Sequence, residues 1–529
     1  MQLEGTRFSR ILRQGIDAAF GWHARRHSAR LDAIGVRETQ EKTLLRLVLK
    51  AAQTQFGREH RFHQIRSLSD YRRQVPLRHY EDFWTEYWYP GYPVLQNVTW
   101  PGRIPFFALS SGTTAGTTKS IPVSPEMLAS NQAAALTSLS WFKATYPETP
   151  LLTGRLFFLG GSTDMHLLTR GVRAGDLSGI VASEASCLMR PFAFPPADLA
   201  LVKNWDDKLT QLAERGSRLP ITMLSGVPSW LLVLFDRLRG VTGKRSIADI
   251  WPTLRLVIHG GTSFEPYRTL FRETIGSDEV RFLETYPASE GFVAAEDPRF
   301  GTLRLMLGHD IFFEFVPVDE LSDDDPTRHA AHEVELGERY AVVLTTCAGL
   351  WSYVLGDVVV FERRNPPLLR FAGRTKQTLS AFGEHVIGEE ADRAIAEACD
   401  ATGAAIAEYH VGAAFPDDAA QVGRHRWLIE FLRAPSDLKR FAEALDGSLR
   451  GLNEDYDAHR QGDLTMLPPE AIAVRPGGFS AWMRSRGKLG GQHKVPRLDG
   501  TGRLVQDLSA WLEDRGYLMT PLAQEPVSV

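Results

Sequence analysis

Phe106–Ser124 reads FFALSSGTTAGTTKSIPVS. The apolar run Phe106–Leu109 predicts a buried strand, and Ile121–Val123 predicts a second one after it. Between them lie Ser110, Ser111, Gly112, Thr113, Thr114, Ala115, Gly116, Thr117, Thr118 and Lys119, of which six are hydroxylic and two are glycine. Glycines let consecutive N–H groups turn toward one anion. The hydroxyls add donors, and Lys119 adds a mobile positive charge. That is the chemistry a polyphosphate needs. It is not a Walker A loop, because two threonines separate Gly116 from Lys119. A flexible Ser/Thr/Gly linker has a similar composition. The flanking strands and the closing lysine favour anion binding.

The rest of the chain frames this loop. Its 529 residues exceed one ordinary core, so two or more domains are expected. Hydrophobic content of 43% and charged content of 23% fit a globular chain, and a net charge of −4 gives no sign of a nucleic-acid partner. Cys187, Cys347 and Cys399 are too far apart for a disulfide framework or a metal motif, which predicts a reducing, cytoplasmic setting. No stretch has the length and apolarity for stable membrane insertion. Near the N-terminus Phe8, Ile11, Leu12, Ile16 and Phe20 recur at helical spacing among Arg7, Arg10 and Arg13. This predicts a helix packed on the protein's own body, with a membrane-surface helix as the alternative. His23 and His27 share a helical face without making a metal site.

Residues 1 to 100 read mostly as helices. After the loop, a helix is expected over Pro125–Tyr146. Strands follow at Leu156–Leu159, Thr222–Leu224, Leu254–Ile258 and Val280–Glu284, with helices at Asp206–Arg215 and Leu231–Arg239. Such alternation implies a layered α/β body with its sites at the carboxyl ends of the strands. From Phe312 the pattern becomes strand after strand, which predicts a more antiparallel, β-rich subdomain. Asp323-Asp324-Asp325 reads as an exposed loop. Beyond Gly373-Arg374-Thr375-Lys376 a small α+β unit is expected. The predicted division is a large domain over 1–373 and a small one over 377–529.

Three further clusters carry chemistry. Tyr286 can stack on a purine, and Glu290, after Ser289, can offer magnesium a hard carboxylate oxygen; a plain strand-to-loop junction reads similarly. In Tyr353-Val354-Leu355-Gly356-Asp357-Val358, Asp357 can accept both hydroxyls of a ribose; a bulge glycine with a turn aspartate is the alternative. Gly490-Gly491-Gln492-His493-Lys494-Val495-Pro496-Arg497 places a lysine on a glycine-flanked loop. Leu139, Phe142, Met223, Val227 and Trp230 are candidate walls of a substrate pocket, although core packing explains all five equally.

Ser110–Thr114 with Lys119 resembles the phosphate loop of the adenylate-forming superfamily of acyl ligases. With Gln40-Glu41-Lys42, Phe56-Gly57 and Tyr80-Glu81-Asp82 ahead of it, the chain resembles the GH3 family of acyl acid amido synthetases, and a bacterial-type member is expected. The order of loop, Tyr286–Ser289–Glu290, Gly356–Asp357, Arg374 with Lys376, and Lys494 extends the likeness over nearly the whole chain. The resemblance implies a large α/β domain and a small mobile one, joined by a hinge at 374–376. It implies ATP held by Ser110, Ser111, Gly112, Thr113, Thr114 and Lys119, with the turn Gly260-Gly261-Thr262 along the adenine. Tyr286, Ser289, Asp357 and Arg374 complete the nucleotide site, Glu290 holds Mg²⁺, and Lys494 acts at the α-phosphate. The implied reaction joins a small carboxylic acid to an amine or amino acid through an acyl-adenylate. Plant members usually carry arginines beside this motif, where this chain has Ser352 and Val354; the departure leaves the implied ribose role intact and sets plant-type acid and amino acid specificity in question. The alternatives are an adenylating ligase with coenzyme A as acceptor and a non-catalytic sensor of the same fold.

Overall fold

The computed structural model describes residues 7–111, 118–160, 165–184, 192–196, 199, 202, 205–261, 264–375, 378–379, 381–382, 384, 386–415, 423–460, 466–486 and 495–519. The chain divides into two compact units. One is Met1–Thr262 with Thr274–Ala372, and the other is Ser263–Glu273 with Gly373–Val529.

In the first unit the loop's flanks form a hairpin. β1 (Phe106–Ser111) pairs antiparallel with β2 (Thr118–Val123), from Phe106 opposite Val123 to Ser111 opposite Thr118. β4 (His166–Thr169) and β5 (Val172–Gly175) complete a four-stranded sheet in the order β2-β1-β5-β4. The Pro125–Thr145 helix follows at once. Ser124 caps it by accepting a hydrogen bond from Met127 N at 3.0 Å, and Pro125 occupies the first turn, where a missing N–H costs nothing.

The second sheet has twelve strands. β3 (Arg155–Leu159), β6 (Ala193–Phe194), β7 (Ile221–Gly226), β8 (Leu256–Gly260) and β9 (Arg281–Ala288) run parallel. β10 (Gly291–Asp297) turns back on β9 through the two residues Ser289 and Glu290. β11 (Thr302–Leu305), β12 (Ile311–Pro317), β13 (His329–Ala330), β14 (Arg339–Thr346), β15 (Tyr353–Arg364) and β16 (Pro367–Arg374) follow. The order is β13-β12-β14-β15-β16-β11-β10-β9-β8-β7-β3-β6. The antiparallel strands expected as a subdomain are therefore the other half of the same sheet, joined through the β9–β10 hairpin. β9 also runs four residues past the expected end at Glu284. Pro287 made the sequence look like a loop there, since proline cannot donate to a ladder; in the fold it stands opposite Phe292.

The Arg7–Asp32 helix packs on the Pro125–Thr145 helix. Asp17 Oδ2 accepts from Lys143 Nζ at 2.7 Å, and its Oδ1 accepts from Leu151 N and Leu152 N, each at 2.8 Å. Its buried face carries Asp17, Ala24 and Ser28, whereas Ile11 and Leu12, expected on that face, are exposed. A largely polar contact, which hydrophobic periodicity does not register, sets the orientation. Asp323, Asp324 and Asp325 are exposed, as expected. Among the described residues no helix is long and apolar enough to cross a membrane.

The second unit is α+β. β19 (Ala405–Ala414) and β20 (Arg424–Arg433) form its central antiparallel pair, flanked by β21 (Glu470–Val474) and β22 (Leu498–Asp499). The helices Gly388–Thr402 and Leu438–Leu452 bury Ile395, Phe441 and Leu445 against Trp427 and Ile429. β17 (Thr378–Leu379) and β18 (Val386–Ile387) make a short hairpin.

Candidate nucleotide and acid site

Three elements of the first unit bring the predicted chemistry together. Glu290 stands in the tight turn closing β9 and β10 and is only 8% exposed. Tyr353, at the start of β15, donates its hydroxyl to Glu290 Oε1 at 3.1 Å. Burial pushes the Glu290 carboxyl above its ordinary range; the nearby Lys119 ammonium opposes this, and Asp357 adds to it. Burial, with Glu290 beside it, also holds the Tyr353 phenol well above its usual value.

Lys119 opens β2, with its Nζ 5.1 Å from the centre of the Tyr80 ring. The Tyr80 hydroxyl accepts from Ser120 N at 2.9 Å, which satisfies the outward N–H of an edge strand. Burial raises the Tyr80 phenol to about 12. Tyr80 thus pins the lysine-bearing end of the hairpin through ring and hydroxyl together.

Tyr286 donates to Asp357 Oδ2 at 2.7 Å, although three strands separate β9 from β15 in the sheet order. Tyr286 also meets Phe371 edge to face at 5.6 Å. Asp357 follows Gly356, whose φ of +87° requires glycine, and the β14–β15 register shifts across this stretch. The bulge and the functional reading are therefore compatible, since a bulge re-aims the next side chain. Gly260 has a packing reason of its own: a Cβ there would lie 2.3 Å from Thr285 O. Gly261 has a φ of +81°.

Ser110 stands opposite Lys119, and Ser111 opposite Thr118, so the hairpin frames the 112–117 connection. Gly112, Thr113, Thr114, Thr262, Lys376 and Lys494 lie outside the described residues. Ser289 is buried in the turn beside Glu290. Arg374 ends β16 and is exposed. Of the proposed pocket walls, Phe142 and Met223 are fully buried with Leu151, Leu256 and Leu283, and Leu139 packs on that cluster. These three are core, the reading the sequence had left open. Val227 and Trp230 are half-buried at the start of the Pro228–Thr242 helix.

Sequence reasoning missed the supporting tyrosines, although Tyr353 opens the Gly-Asp motif and Tyr80 leads the helical turn before the loop. Ser352 also gains a definite role. It is buried, accepts from Arg328 Nη2 at 2.6 Å and donates to the Tyr71 hydroxyl at 3.0 Å. Arg328 and Arg72 in turn bind the buried Glu314. Ser352 is thus part of an internal network.

No group of three or more His, Cys, Asp or Glu side chains able to hold a metal occurs among the described residues. The donor set fits a different kind of site. One buried carboxylate facing a lysine suits a cation that takes most of its oxygens from bound phosphates.

A two-unit α/β chain with this hairpin and hairpin-turn glutamate has the fold of the adenylate-forming ligases. A solved GH3.15 acyl acid amido synthetase superposes with a TM-score of 0.74 at 17% identity, covering 93% of this chain and 95% of its own. A 2-hydroxyisobutyryl-CoA ligase does so with a TM-score of 0.59 at 13% identity, covering 89% and 91%. The GH3 family N-terminal domain matches residues 32–211, the GH3 family central domain 304–374 and the GH3 family C-terminal domain 389–501; the chain belongs to the GH3 family. A probable indole-3-acetic acid-amido synthetase GH3.4 from Oryza sativa subsp. japonica is 29% identical over 215 residues, 37% of this chain and 34% of its own length. A jasmonoyl–L-amino acid synthetase GH3.5 from the same plant is 29% identical over 288 residues, 50% and 49%. The match thus spans about a third to a half of these relatives. Both are plant proteins and lend no support to a bacterial type.

Proposed function

We propose that this chain is an ATP-dependent acyl acid amido synthetase. The observation that carries the reading is the convergence of Lys119, Glu290 and Asp357 beside the hairpin that frames the Ser/Thr/Gly loop. A carboxylate oxygen of the acid attacks the α-phosphorus of ATP, and pyrophosphate leaves. An amine, such as that of an amino acid, then attacks the acyl carbon, loses a proton and expels AMP. A carboxylate is a poor electrophile and AMP a far better leaving group than oxide, which is why activation comes first. The loop donors and Lys119 hold the phosphates, Asp357 the ribose, and Tyr286 with the 260–262 turn the adenine. Glu290 would hold Mg²⁺, and the cation would supply positive charge against that of the departing pyrophosphate. Lys494 stabilises the crowded phosphorus during adenylation, and residues 374–376 are the hinge about which the small domain, 377–529, turns between half-reactions. Cys347 and Cys399 are buried free thiols, which supports a reducing, cytoplasmic setting.

Pyrophosphate exchange into ATP, dependent on an added acid, tests the first step and separates this reading from a non-catalytic sensor. Supplying amino acids or coenzyme A once adenylate has formed identifies the acceptor. Amide without thioester is the expected outcome, and thioester alone would replace this reading with that of an acyl-CoA ligase.

Two substitutions test the nucleotide contacts. Ser111→Ala or Thr114→Ala is expected to weaken ATP use by roughly 1.5–3 kcal/mol, the worth of a hydrogen bond to a charged group. ATP saturation curves check this, and unchanged curves in both variants would remove the loop from the site. Asp357→Ala is expected to raise the KM for ATP while the thermal midpoint stays near that of the parent. Tyr286→Phe, which removes only the hydroxyl that Asp357 accepts, is expected to have the smaller effect. Joint loss of fold and activity in Asp357→Ala would instead mark Asp357 as a turn residue.

A further inference from the structure

Asn131 lies in the Pro125–Thr145 helix and is 8% exposed, yet neither its Oδ1 nor its Nδ2 has a hydrogen-bond partner. The buried hydroxyls near it on the helix are satisfied, whereas the Trp141 indole N–H farther along is not. Ser130 donates to His309 O, Ser138 to Ala134 O at 3.0 Å and Ser140 to Leu136 O at 2.7 Å. Thr137 lies between His27 and His309, 2.9 and 3.1 Å from their ring nitrogens. A buried carboxamide left unpaired at both ends is costly, and native proteins retain such groups where something else meets them.

The helix face locates what that is. Phe142 packs with Met223, Leu256 and Leu283, and Ala134 with Phe292 and Ala295. At the other end, Met127 Cε lies 3.8 Å from where a Cβ on Gly291 would be. Asn131 is four residues after Met127 and three before Ala134, so it shares their face. It therefore looks onto β10 where Gly291 and Phe292 leave the turn that carries Glu290. Strand alternation puts Thr285 and Pro287 on the same side of the sheet as Leu283, and Pro287 is opposite Phe292. The amide thus stands over the carboxyl ends of β8 and β9. Tyr286, one residue out of phase, serves the nucleotide from the other side.

We propose that Asn131 is a specificity residue for the acid substrate and that it recognises a hydroxyl on the acyl group. This rests on the amido synthetase reading. A carboxylate only accepts, so it would satisfy Nδ2 and leave Oδ1 bare. A hydroxyl both accepts and donates, and one such group satisfies both ends of the amide. The substrate class is a hydroxyl-bearing carboxylic acid, and a hydrocarbon acid leaves the amide unpaired.

The test uses the full chain, with benzoic, indolyl and alkyl acids in matched pairs with and without one hydroxyl. Acid-dependent pyrophosphate exchange in the wild type is expected to favour a hydroxylated member by roughly 10- to 100-fold in kcat/KM. In Asn131→Leu, close in volume and apolar, that preference is expected to collapse or invert. The ligand-free variant is expected to melt no lower than the wild type, because an unpaired buried amide has been replaced by a side chain that needs no partner. Asn131→Asp, which keeps the shape and an acceptor for the hydroxyl proton but removes the donor, is the second variant and is expected to weaken the preference less than Asn131→Leu does. A preference unchanged in both variants overturns the assignment, as does a ligand-free Asn131→Leu that melts lower, which would make the amide a structural group. The shift of the melting midpoint on adding each acid reads the same preference without turnover. Absent exchange with every acid would overturn the adenylation reading alone if those shifts still favour hydroxylated acids. Absent shifts in the wild type overturn the Asn131 assignment.

Discussion

Lys494→Ala is expected to slow acid-dependent pyrophosphate exchange by on the order of 10²–10³-fold, the typical loss when an electrostatic contact made chiefly in the transition state is removed. The same variant, given pre-formed acyl-adenylate and an amine, is expected to make amide at close to the parent rate. The asymmetry follows from the two chemistries. Adenylation crowds negative charge around phosphorus and needs a cation there, whereas attack on the acyl carbon does not. The residues that follow Lys494 are firmly held in the second unit. Pro496 O lies 2.5 Å from His410 Nδ1, and Arg497 O accepts from Val411 N at 2.8 Å. The Arg497 guanidinium pairs with the half-buried Asp392 and donates to the Tyr267 hydroxyl at 3.1 Å. Removing the Lys494 charge therefore need not disturb the fold around it. Lys376→Pro is the converse: adenylation persists and amide formation falls, because proline fixes a torsion that a hinge must change. Single-turnover assays of each half-reaction read both effects. Equal slowing of the two steps in Lys494→Ala would refute a lysine that serves adenylation only.

The strands flanking the loop, the parallel strands and the motif order were legible because each is a local signal. An apolar run ending in Ser, Thr and Gly reads as a strand delivering a loop, whatever surrounds it. What could not be read were contacts made across the sheet. Tyr353 and Glu290 are 63 residues apart, and Tyr286 and Asp357 are 71. Three strands stand between β9 and β15 in the sheet order, so no pairing pattern in the sequence announces these contacts. Pro287 hid the end of β9 and with it the fact that Glu290 occupies a two-residue turn. The candidate pocket walls show a different limit. Phe142 and Met223 lie in one buried apolar cluster, and apolar residues that line a pocket and those that fill a core look alike in sequence, so the two readings stay side by side. Asn131 escaped notice because an unpaired amide is a property of its surroundings and not of its type.

Glu290→Gln is expected to reduce exchange by about 10²-fold or more at fixed Mg²⁺ and to raise the Mg²⁺ concentration needed for half-maximal rate, since a neutral amide is a weak ligand for a hard cation. The pH dependence follows from the direction in which burial moves the carboxyl. Glu290 is raised in the folded protein, so the fold binds its proton more tightly than the unfolded chain does. The stability this proton provides is fully present below the unfolded value and is lost as pH rises through the folded one. Mg²⁺ binding through Glu290, as proposed, would run the other way, because the cation would need the ionised carboxylate. In the wild type, Mg²⁺ affinity is therefore expected to fall as pH drops through the raised value, while the metal-free protein becomes more stable. Glu290→Gln is expected to flatten that part of both profiles, and at alkaline pH to melt no lower than the metal-free wild type, since the buried charge is gone. Tyr353→Phe is the graded control. It keeps the carboxylate and removes the hydroxyl that orients it, and is expected to cost about 10- to 100-fold in Mg²⁺ affinity, as loss of an outer partner of a metal ligand does. Mg²⁺ titrations of exchange across pH, with calorimetric Mg²⁺ binding in the presence of a non-hydrolysable ATP analogue and melts without metal, measure all three quantities. An unchanged Mg²⁺ requirement in Glu290→Gln would take the metal away from this turn. The buried pair of Glu290 and Tyr353 would then be a structural link between β15 and the β9–β10 hairpin.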